Sequence, residues 1–267
     1  MPDGQDASAF EDTQANRALC RSRVMKQWRN PMVTDLAENV TDQAGDGGSK
    51  FAQAKAKATI ELKQDMEKTA LGSQDSNAQT NATTGAVTRG LGSWIATSAQ
   101  SDTATAIPTG FFPAAGQLES GTLAAFEEDE LRAMLQARYE TVKAKGDLKA
   151  FCGTRVKNKI SDFSRLDEKG GTSYSVRRFN GSTMTIETSV EIYRGDYGSV
   201  EIFLDLFLPS SLTMYIADMN HLEIRATRSP NFKELPDLGG GPRGIIDCVW
   251  GLVNKNPQSH CKAIVTV

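Results

Sequence analysis

Two histidines, His221 and His260, and four cysteines, Cys20, Cys152, Cys248 and Cys261, are the first candidates for nucleophilic or metal chemistry in this chain. A structural zinc site draws on Cys and His ligands at short paired spacing. None of the cysteines lies in a C-x-x-C pair. The nearest approach to a ligand pair is His260 beside Cys261, and neighbours on a strand point to opposite faces. Ser/His/Asp catalysis needs a histidine held against a nucleophile, and no G-x-S-x-G elbow precedes either histidine. Residues Met1 to Asp12 are acidic and polar and do not form a secretory signal, so free buried thiols are expected rather than disulfides.

Three further clusters have a chemical reading and a structural one. Glu127, Glu128, Asp129 and Glu130 could supply paired carboxylates for acid/base work; at the start of a helix they would instead complement its dipole. Gly239-Gly-Gly-Pro-Arg-Gly244 could cradle a phosphate, but it lacks the Lys-Ser/Thr pair and the strand-to-helix context of such loops, and reads as a mobile turn. Arg21, Arg23, Lys26 and Arg29 come with no acid among them, interleaved with Val24, Met25 and Trp28, and read as an extended basic arm ended by Pro31. Such an arm on an acidic chain suits either nucleic acid or the acidic face of a neighbouring subunit. Trp28 and Trp94 read as packing anchors rather than base-stacking platforms.

The elements that must carry these residues are legible from periodicity. Lys50 to Leu71 is the strongest helix: Phe51, Ala54, Ala58, Leu62 and Met66 form one apolar stripe, Ser49 is its expected N-cap and Gly72 its expected C-cap. A long helix with a narrow, alanine-rich stripe packs on a flat partner such as a sheet. Residues 73–120 are rich in Ser, Thr, Asn, Gly and Ala, with Arg89 to Ile95 expected to dock on the core. A second helix runs from about Glu128 to Lys145, stopped by Gly146, with Leu131, Met134, Leu135, Arg138, Tyr139 and Val142 on its face. Leu148 to Cys152 reads as a short strand and Thr154 to Phe163 as a third helix. Met184 to Tyr193 and Ser199 to Leu208 alternate as two half-buried strands joined by a turn at Gly195 to Gly198. Leu212 to Ala217, Gly244 to Val253 and Ser259 to Val267 supply further strands. The class is α+β, and the lack of βαβ alternation disfavours a doubly wound nucleotide-binding sheet.

The 267 residues suffice for one large domain or two modest ones, and a net charge of −3 argues against binding nucleic acid mainly by charge. Hydrophobic content of 39% and a mean hydropathy of −0.39 suit a chain with much surface, long loops or extended arms. No apolar run approaches the roughly 18 residues of a membrane span.

The order of these elements, with several short motifs, resembles the major head (capsid) proteins of tailed bacteriophages with the Hong Kong 97-type fold. Asp3-Gly4-x-Asp6-Ala7 is similar to that family's E-G-x-D-A in the extended loop, and Arg17 to Val33 to the returning strand of the loop. Ala44-Gly45, Ala54-Lys55-Ala56 and Glu61 to Glu67 resemble the entry and body of the spine helix, and Ala70-Leu71-Gly72 with Arg89-Gly90-Leu91 its exit. Ile160-Ser161-Asp162-Phe163 is similar to a short A-domain helix, and Asp196 to Ile202 with Phe207-Leu-Pro209 to the F-G-x-V-x-I hairpin. Asp218 and Arg225 fall in its next strand region, and Leu252, Asn256 and His260 resemble the closing T-L-x-V-x-N-x-x-A-H segment. Gly251 stands where that segment has threonine, Pro257 interrupts its turn, and Gly239-Gly-Gly stands where the family has T-G-D.

The resemblance implies an α+β Hong Kong 97-type capsid fold in four parts: an extended-loop remnant over 1–35, a peripheral domain with the spine helix over 36–75, a mainly axial domain over 76–185, and return strands shared by both over 186–267. It implies that the N-terminal arm and the first half of the loop are lacking, leaving residues 1–30 as an unpaired, splayed strand edge. It implies a structural, non-enzymatic subunit with no catalytic residue, cofactor or metal. Such a subunit would assemble with identical copies, as hexamers and pentamers, into an icosahedral shell around double-stranded DNA. Scaffold, protease, portal and decoration proteins would be further partners; the virion would be its location and the host cytoplasm its place of assembly. Arg21, Arg23, Lys26, Trp28 and Arg29 are the expected inter-subunit contacts. Two other readings stand beside it: a non-viral shell or domesticated prophage relic acting as an encapsulating module, and a hydrolase using the Glu127–Glu130 cluster.

Overall fold

The computed structural model describes residues 20–39, 49–96, 100, 102–163 and 190–267. In chain order these form β1 (Met25–Arg29), α1 (Asp35–Asn39), α2 (Lys50–Ala70), α3 (Leu91–Trp94), β2 (Leu118–Glu119), α4 (Glu128–Val142), β3 (Leu148–Cys152), α5 (Thr154–Asp162), β4 (Ile192–Gly195), β5 (Gly198–Leu204), β6 (Thr213–Asp218), β7 (Leu222–Leu235), β8 (Arg243–Asn254) and β9 (Cys261–Ile264). The strands make two sheets, one ordered β1-β8-β7 and the other β2-β9-β6-β3-β5-β4.

The spine of the smaller layer is α2, 21 residues and therefore about 32 Å long. Its start is fixed twice. Ser49 Oγ accepts the Ala52 N–H at 3.2 Å, and Glu38 from α1 takes both the Ser49 hydroxyl and the Phe51 N–H, at 2.7 and 2.8 Å. The apolar stripe buries Ala58, Leu62 and Ala70, and the helix lies across β1 and β8. Beneath it Ile246, Cys248, Trp250 and Leu252 recur at period two on β8, which is what a strand covered on one face shows.

The larger sheet is covered on both faces. Ala150, Cys152, Met214 and Ile216 pack against Leu131, Met134 and Leu135 of α4 and Val156 and Ile160 of α5. Tyr215 and Ala217 point the other way, into a second core shared with α2, Leu91, Trp94, Ile95 and Trp250. That explains why β6 reads as an unbroken apolar run rather than an alternating one. The chain passes between the sheets three times, from β1 to β2 by way of α2 and, by short connections, from β6 to β7 through 219–221 and from β8 to β9 through 255–260.

Several expectations from the sequence need correction. Helix α2 ends on Leu71 in the right-handed region, and Gly72 is not its left-handed cap. A glycine is needed at 90 because two backbone turns touch: a Cβ there would stand 2.2 Å from the Gly72 carbonyl oxygen. Helix α4 stops at Val142 because Lys143 takes the left-handed conformation (φ 58°), ahead of Gly146. Strand β5 ends at Leu204, since Asp205 Oδ1 captures the Phe207 N–H at 2.7 Å and turns the chain, leaving Leu206 77% exposed. The 14-residue β7 was not anticipated as a strand of that length. It is an edge strand with polar residues on both faces, Pro230 in its run and two register shifts against β8. Residues 25–29 are not splayed: they pair with β8 in antiparallel register, Trp28 opposite Asp247. The expected strand over 184–189 and the loop motif over 3–7 lie outside the described residues.

Candidate functional site

The arm is fastened to its own chain by the residues that the sequence singles out. Odd-numbered side chains of β1 face α2. Gln27 Nε2 donates to Thr69 Oγ1 at 2.8 Å, its Oε1 accepts from Trp250 Nε1 at 2.9 Å, and the Arg29 guanidinium pairs with Asp65. Just ahead of the strand, Arg23 forks onto Asp102, Nε to Oδ2 at 2.7 Å and Nη2 to Oδ1 at 3.2 Å. The Arg23 guanidinium, helped by the Thr105 hydroxyl and the Ala104 N–H, pulls the Asp102 carboxyl down to about 2. This pair therefore contributes stability above the ordinary carboxylate range and loses it as pH falls towards 2.

Even-numbered side chains of β1 face away from α2. Lys26 Nζ lies 3.4 Å from Asp247, a carboxylate it shares with Arg228 at 2.7 Å, and Trp28 is 54% exposed. Arg21 is exposed and has no acidic partner among the described residues. So the arm is not free of acids. Arg23, Lys26 and Arg29 find Asp102, Asp247 and Asp65 at long range in sequence, and the exposed face is left with Arg21, Lys26 and Trp28.

A second polar assembly sits where the two sheets meet. Arg138, on the apolar face of α4, is fully buried and donates to Asp218 Oδ2 at 2.7 Å, Ser259 O at 2.7 Å, and the carbonyls of Ala144 and Lys145, both at 2.9 Å. His260 Nδ1 accepts the Asp218 N–H at 3.0 Å, so the neutral ring carries its proton on Nε2, which donates to Asn254 Oδ1 at 3.0 Å. Gln117 Nε2 holds the carbonyls of Gln258 and His260, and the Lys255 N–H donates to His221 O at 2.8 Å. Asp218 ends β6, Asn254 ends β8 and His260 precedes β9, so this node rivets the two short inter-sheet crossings.

Burial drives the His260 imidazole down to about 3, with the Asp218 charge pulling the other way. In the unfolded chain the same ring titrates near its ordinary value, so its share of stability is complete above about pH 6.5 and drains away as pH falls towards 3. We expect His260→Gln, which cannot titrate, to be less stable than the parent at pH 7.5. In urea titrations across pH 7.5 to 4 that deficit should shrink, and a constant deficit would contradict the neutral buried ring.

The remaining candidates are structural. Burial pushes the Cys152 and Cys261 thiols up to about 12, which leaves them protonated and unreactive. All four cysteines are free. The glycine loop is the β7–β8 turn, and its N–H groups are already used: Asp237 Oδ1 accepts from Gly239, Gly240 and Gly241 at 2.8, 3.1 and 3.2 Å. Those bonds hold the Asp237 carboxyl below its ordinary value, and the loop cradles its own carboxylate where a phosphate would have to sit. In the acidic cluster, Glu130 Oε2 accepts the Glu127 N–H at 2.9 Å and Glu128 accepts the Tyr193 hydroxyl at 3.1 Å, so its acids serve the helix start. Among the described residues no group of three or more metal-ligating side chains converges, and no helix is long and apolar enough to cross a membrane.

What this arrangement offers is a fastened arm presenting one outer face, a helix-on-sheet layer, and a second layer riveted to it. That is a tile rather than a catalytic pocket. A family model described as SU10 major capsid protein matches residues 26–266. The chain belongs to the SU10 major capsid protein family. It is a structural capsid protein, not an enzyme, and the hydrolase reading of Glu127–Glu130 falls with that assignment. No curated protein sequence matches the chain.

Solved structures share its fold at low identity. The capsid of a native GTA particle has a TM-score of 0.58 at 9% identity, covering 98% of this chain and 82% of that one. The cyanophage Pam1 capsid has a TM-score of 0.54 at 13% identity, covering 100% and 82%. The SrpI encapsulin of Synechococcus elongatus has a TM-score of 0.50 at 8% identity, covering 92% and 74%. A GTA particle, a phage capsid and an encapsulin thus share the Hong Kong 97-type fold with this chain, and its own family match is to a capsid protein.

Proposed function

We propose that this capsid protein self-assembles, as hexamers and pentamers of identical subunits, into the closed icosahedral head of a tailed double-stranded DNA phage or prophage. The family match across residues 26–266 carries this reading. On it, 1–35 serve as the extended loop, 36–75 as the peripheral domain with α2, 76–185 as the mainly axial domain, and 186–267 as the strands common to both. Assembly takes place in the host cytoplasm with scaffold, protease, portal and decoration proteins as partners. DNA is enclosed without sequence-specific contacts, in keeping with a net charge of −3. Particles purified from producing cells and treated with nuclease are expected to hold protected double-stranded DNA of genome length. A chain recovered only as monomer, or as shells that never protect DNA when all other head proteins are present, would overturn the reading.

Arg21, Arg23, Lys26, Trp28 and Arg29 belong to the same proposal as inter-subunit contacts. Arg23 and Arg29 also hold their own chain, so Arg21 and Lys26 are the informative pair, and Asp247 keeps Arg228 when Lys26 is reversed. Arg21→Glu with Lys26→Glu is expected to cut particle yield sharply while leaving the thermal midpoint of the subunit unchanged. Unaltered yield would remove these two cations from the interface.

A further inference from the structure

We infer that the face of the β1-β8-β7 sheet turned away from α2 docks a second, different protein of the head, one that presents carboxylates around an apolar centre. The inference rests on the shell reading and goes beyond it by naming a surface and the chemistry of what it takes.

Charge is sorted between the two faces of this sheet. The residues of β7 and β8 on the α2 side, among them Ile224, Phe232, Ile246 and Trp250, include no cation. The other side carries Arg225, Arg228 and Lys233 on β7, with Lys255 just past β8. Two acids lie among them, and each is shared. Asp247 holds Arg228 at 2.7 Å and Lys26 at 3.4 Å, and Glu223 holds Arg225 at 3.1 Å and Lys255 at 3.3 Å. Each trio is left with one positive charge in excess. Lys233, opposite Ile245, is exposed and has no acidic partner among the described residues. On a chain of net charge −3 this face is a positive row. It runs roughly 27 Å, from Ile245 to Val253 on β8.

The row is open to solvent. The Arg225, Arg228 and Lys255 side chains are 65%, 50% and 52% exposed. The Arg225 guanidinium, with Lys255 Nζ, holds the Glu223 carboxyl below its ordinary value, so that acid stays ionised throughout the neutral range and the pattern of charge persists.

What lies between the cations decides the class of partner. Ile245 and Val249 recur along β8 on this face, half-buried, with Trp28 beside them on β1. An apolar centre rimmed by charge is the anatomy of a protein interface, where arginine is enriched. A face for duplex DNA is more polar and more positive, and the carboxylates of Asp247 and Glu223 would stand against its phosphates. The chain's own run of acids, Glu127–Glu130, is engaged at its helix start and with Tyr193, so the carboxylates that answer this row belong to a different polypeptide. Lys26 and Trp28, at the β1 margin, stay with the subunit contact proposed above. Charge pairing of this kind speeds encounter and selects the partner, and it weakens as salt rises.

Lys233 is the reporter, because it meets no carboxylate among the described residues of its own chain. Particles purified from producing cells are treated with a water-soluble carbodiimide, which joins a lysine to a carboxylate only where the two touch, and the linked peptides are read by mass spectrometry. Lys233 is expected to be joined to an Asp or Glu of a second polypeptide. Lys233→Arg, which keeps the charge but forms no such amide, should lose the link and keep that polypeptide on the particle. Arg225→Gln with Arg228→Gln should lower its amount per subunit several-fold without lowering particle yield. In that variant each acid keeps one cation, Lys255 on Glu223 and Lys26 on Asp247, so the thermal midpoint of the subunit should match the parent's. Lys233→Glu, at an exposed site, is the second variant and should shed the same polypeptide. Lys233 left unlinked, or joined only to acids of this chain in another copy, overturns the inference. So does a subunit that binds a short DNA duplex of random sequence with an affinity that the double variant abolishes. Each of those results leaves the shell reading standing, whereas a parent that yields no particles overturns both.

Discussion

Arg138→Met is expected to lower the unfolding free energy by about 3–5 kcal/mol, because it strands the Asp218 carboxylate without its cation in a buried site. The position admits little relief. Both side chains are almost wholly buried, at 0% and 2% exposure, and Arg138 also satisfies three backbone carbonyls. Adding Asp218→Asn removes the orphaned charge while keeping an oxygen for the Asp147 and Asn220 N–H groups, and should recover part of the loss. Urea denaturation of the subunit measures both. A single variant within 1 kcal/mol of the parent would mean that the node is not the rivet between the sheets. The consequence reaches beyond stability. The node ties α4, the end of β6 and the end of β8, so loosening it should let the two layers change their relative angle and make assembled particles irregular.

Trp250→Ala carries the second large effect, about 3–5 kcal/mol, the range for truncating a fully buried aromatic side chain. Trp250 sits on β8 beneath α2, opposite Met25 of the arm, and its Nε1–H is the donor that Gln27 Oε1 accepts. The substitution opens a cavity under the spine helix and frees one of the arm's fastenings. Gln27→Ala, which removes the hydrogen bonds but not the ring, should cost only about 1 kcal/mol. Thermal or urea unfolding of the two variants separates packing from hydrogen bonding. Equal losses would show that the polar contact, not the aromatic filling, secures the layer.

The helical framework was open to reading because its signals are local. The stripe from Phe51 to Met66 and the Ser49 cap marked α2 to within a residue, and the Leu148 to Cys152 strand and the Thr154 helix start came from equally short patterns. Strand β7 hid because an edge strand with neither face fully buried has no alternation to show. Gly72 was read as a helix cap, yet the tight backbone approach there constrains Gly90, and Gly146 follows the true stop at Lys143, held by a positive φ of 71° and by the nearness of Asp218 and Arg138. The node left one mark on the sequence, an arginine at an apolar position of α4. Its partners, Asp218, Asn254 and His260, are 80, 116 and 122 residues away, and no local pattern links them. The arm shows the same limit. A run of cations without neighbouring acids looked free, yet Asp65, Asp102 and Asp247 reach it through the fold.

The account stands on a subunit whose helix-on-sheet layer and riveted second layer tile a closed surface. A cryo-electron micrograph reconstruction of particles formed by the full chain tests it most directly. The expected map is a closed shell whose repeating unit contains an unbroken helix over 50–70 lying across the β1-β8-β7 sheet, with each arm against the neighbouring copy. A preparation that yields only single 29 kDa chains, or a shell whose arms fold back without touching a neighbour, would contradict it.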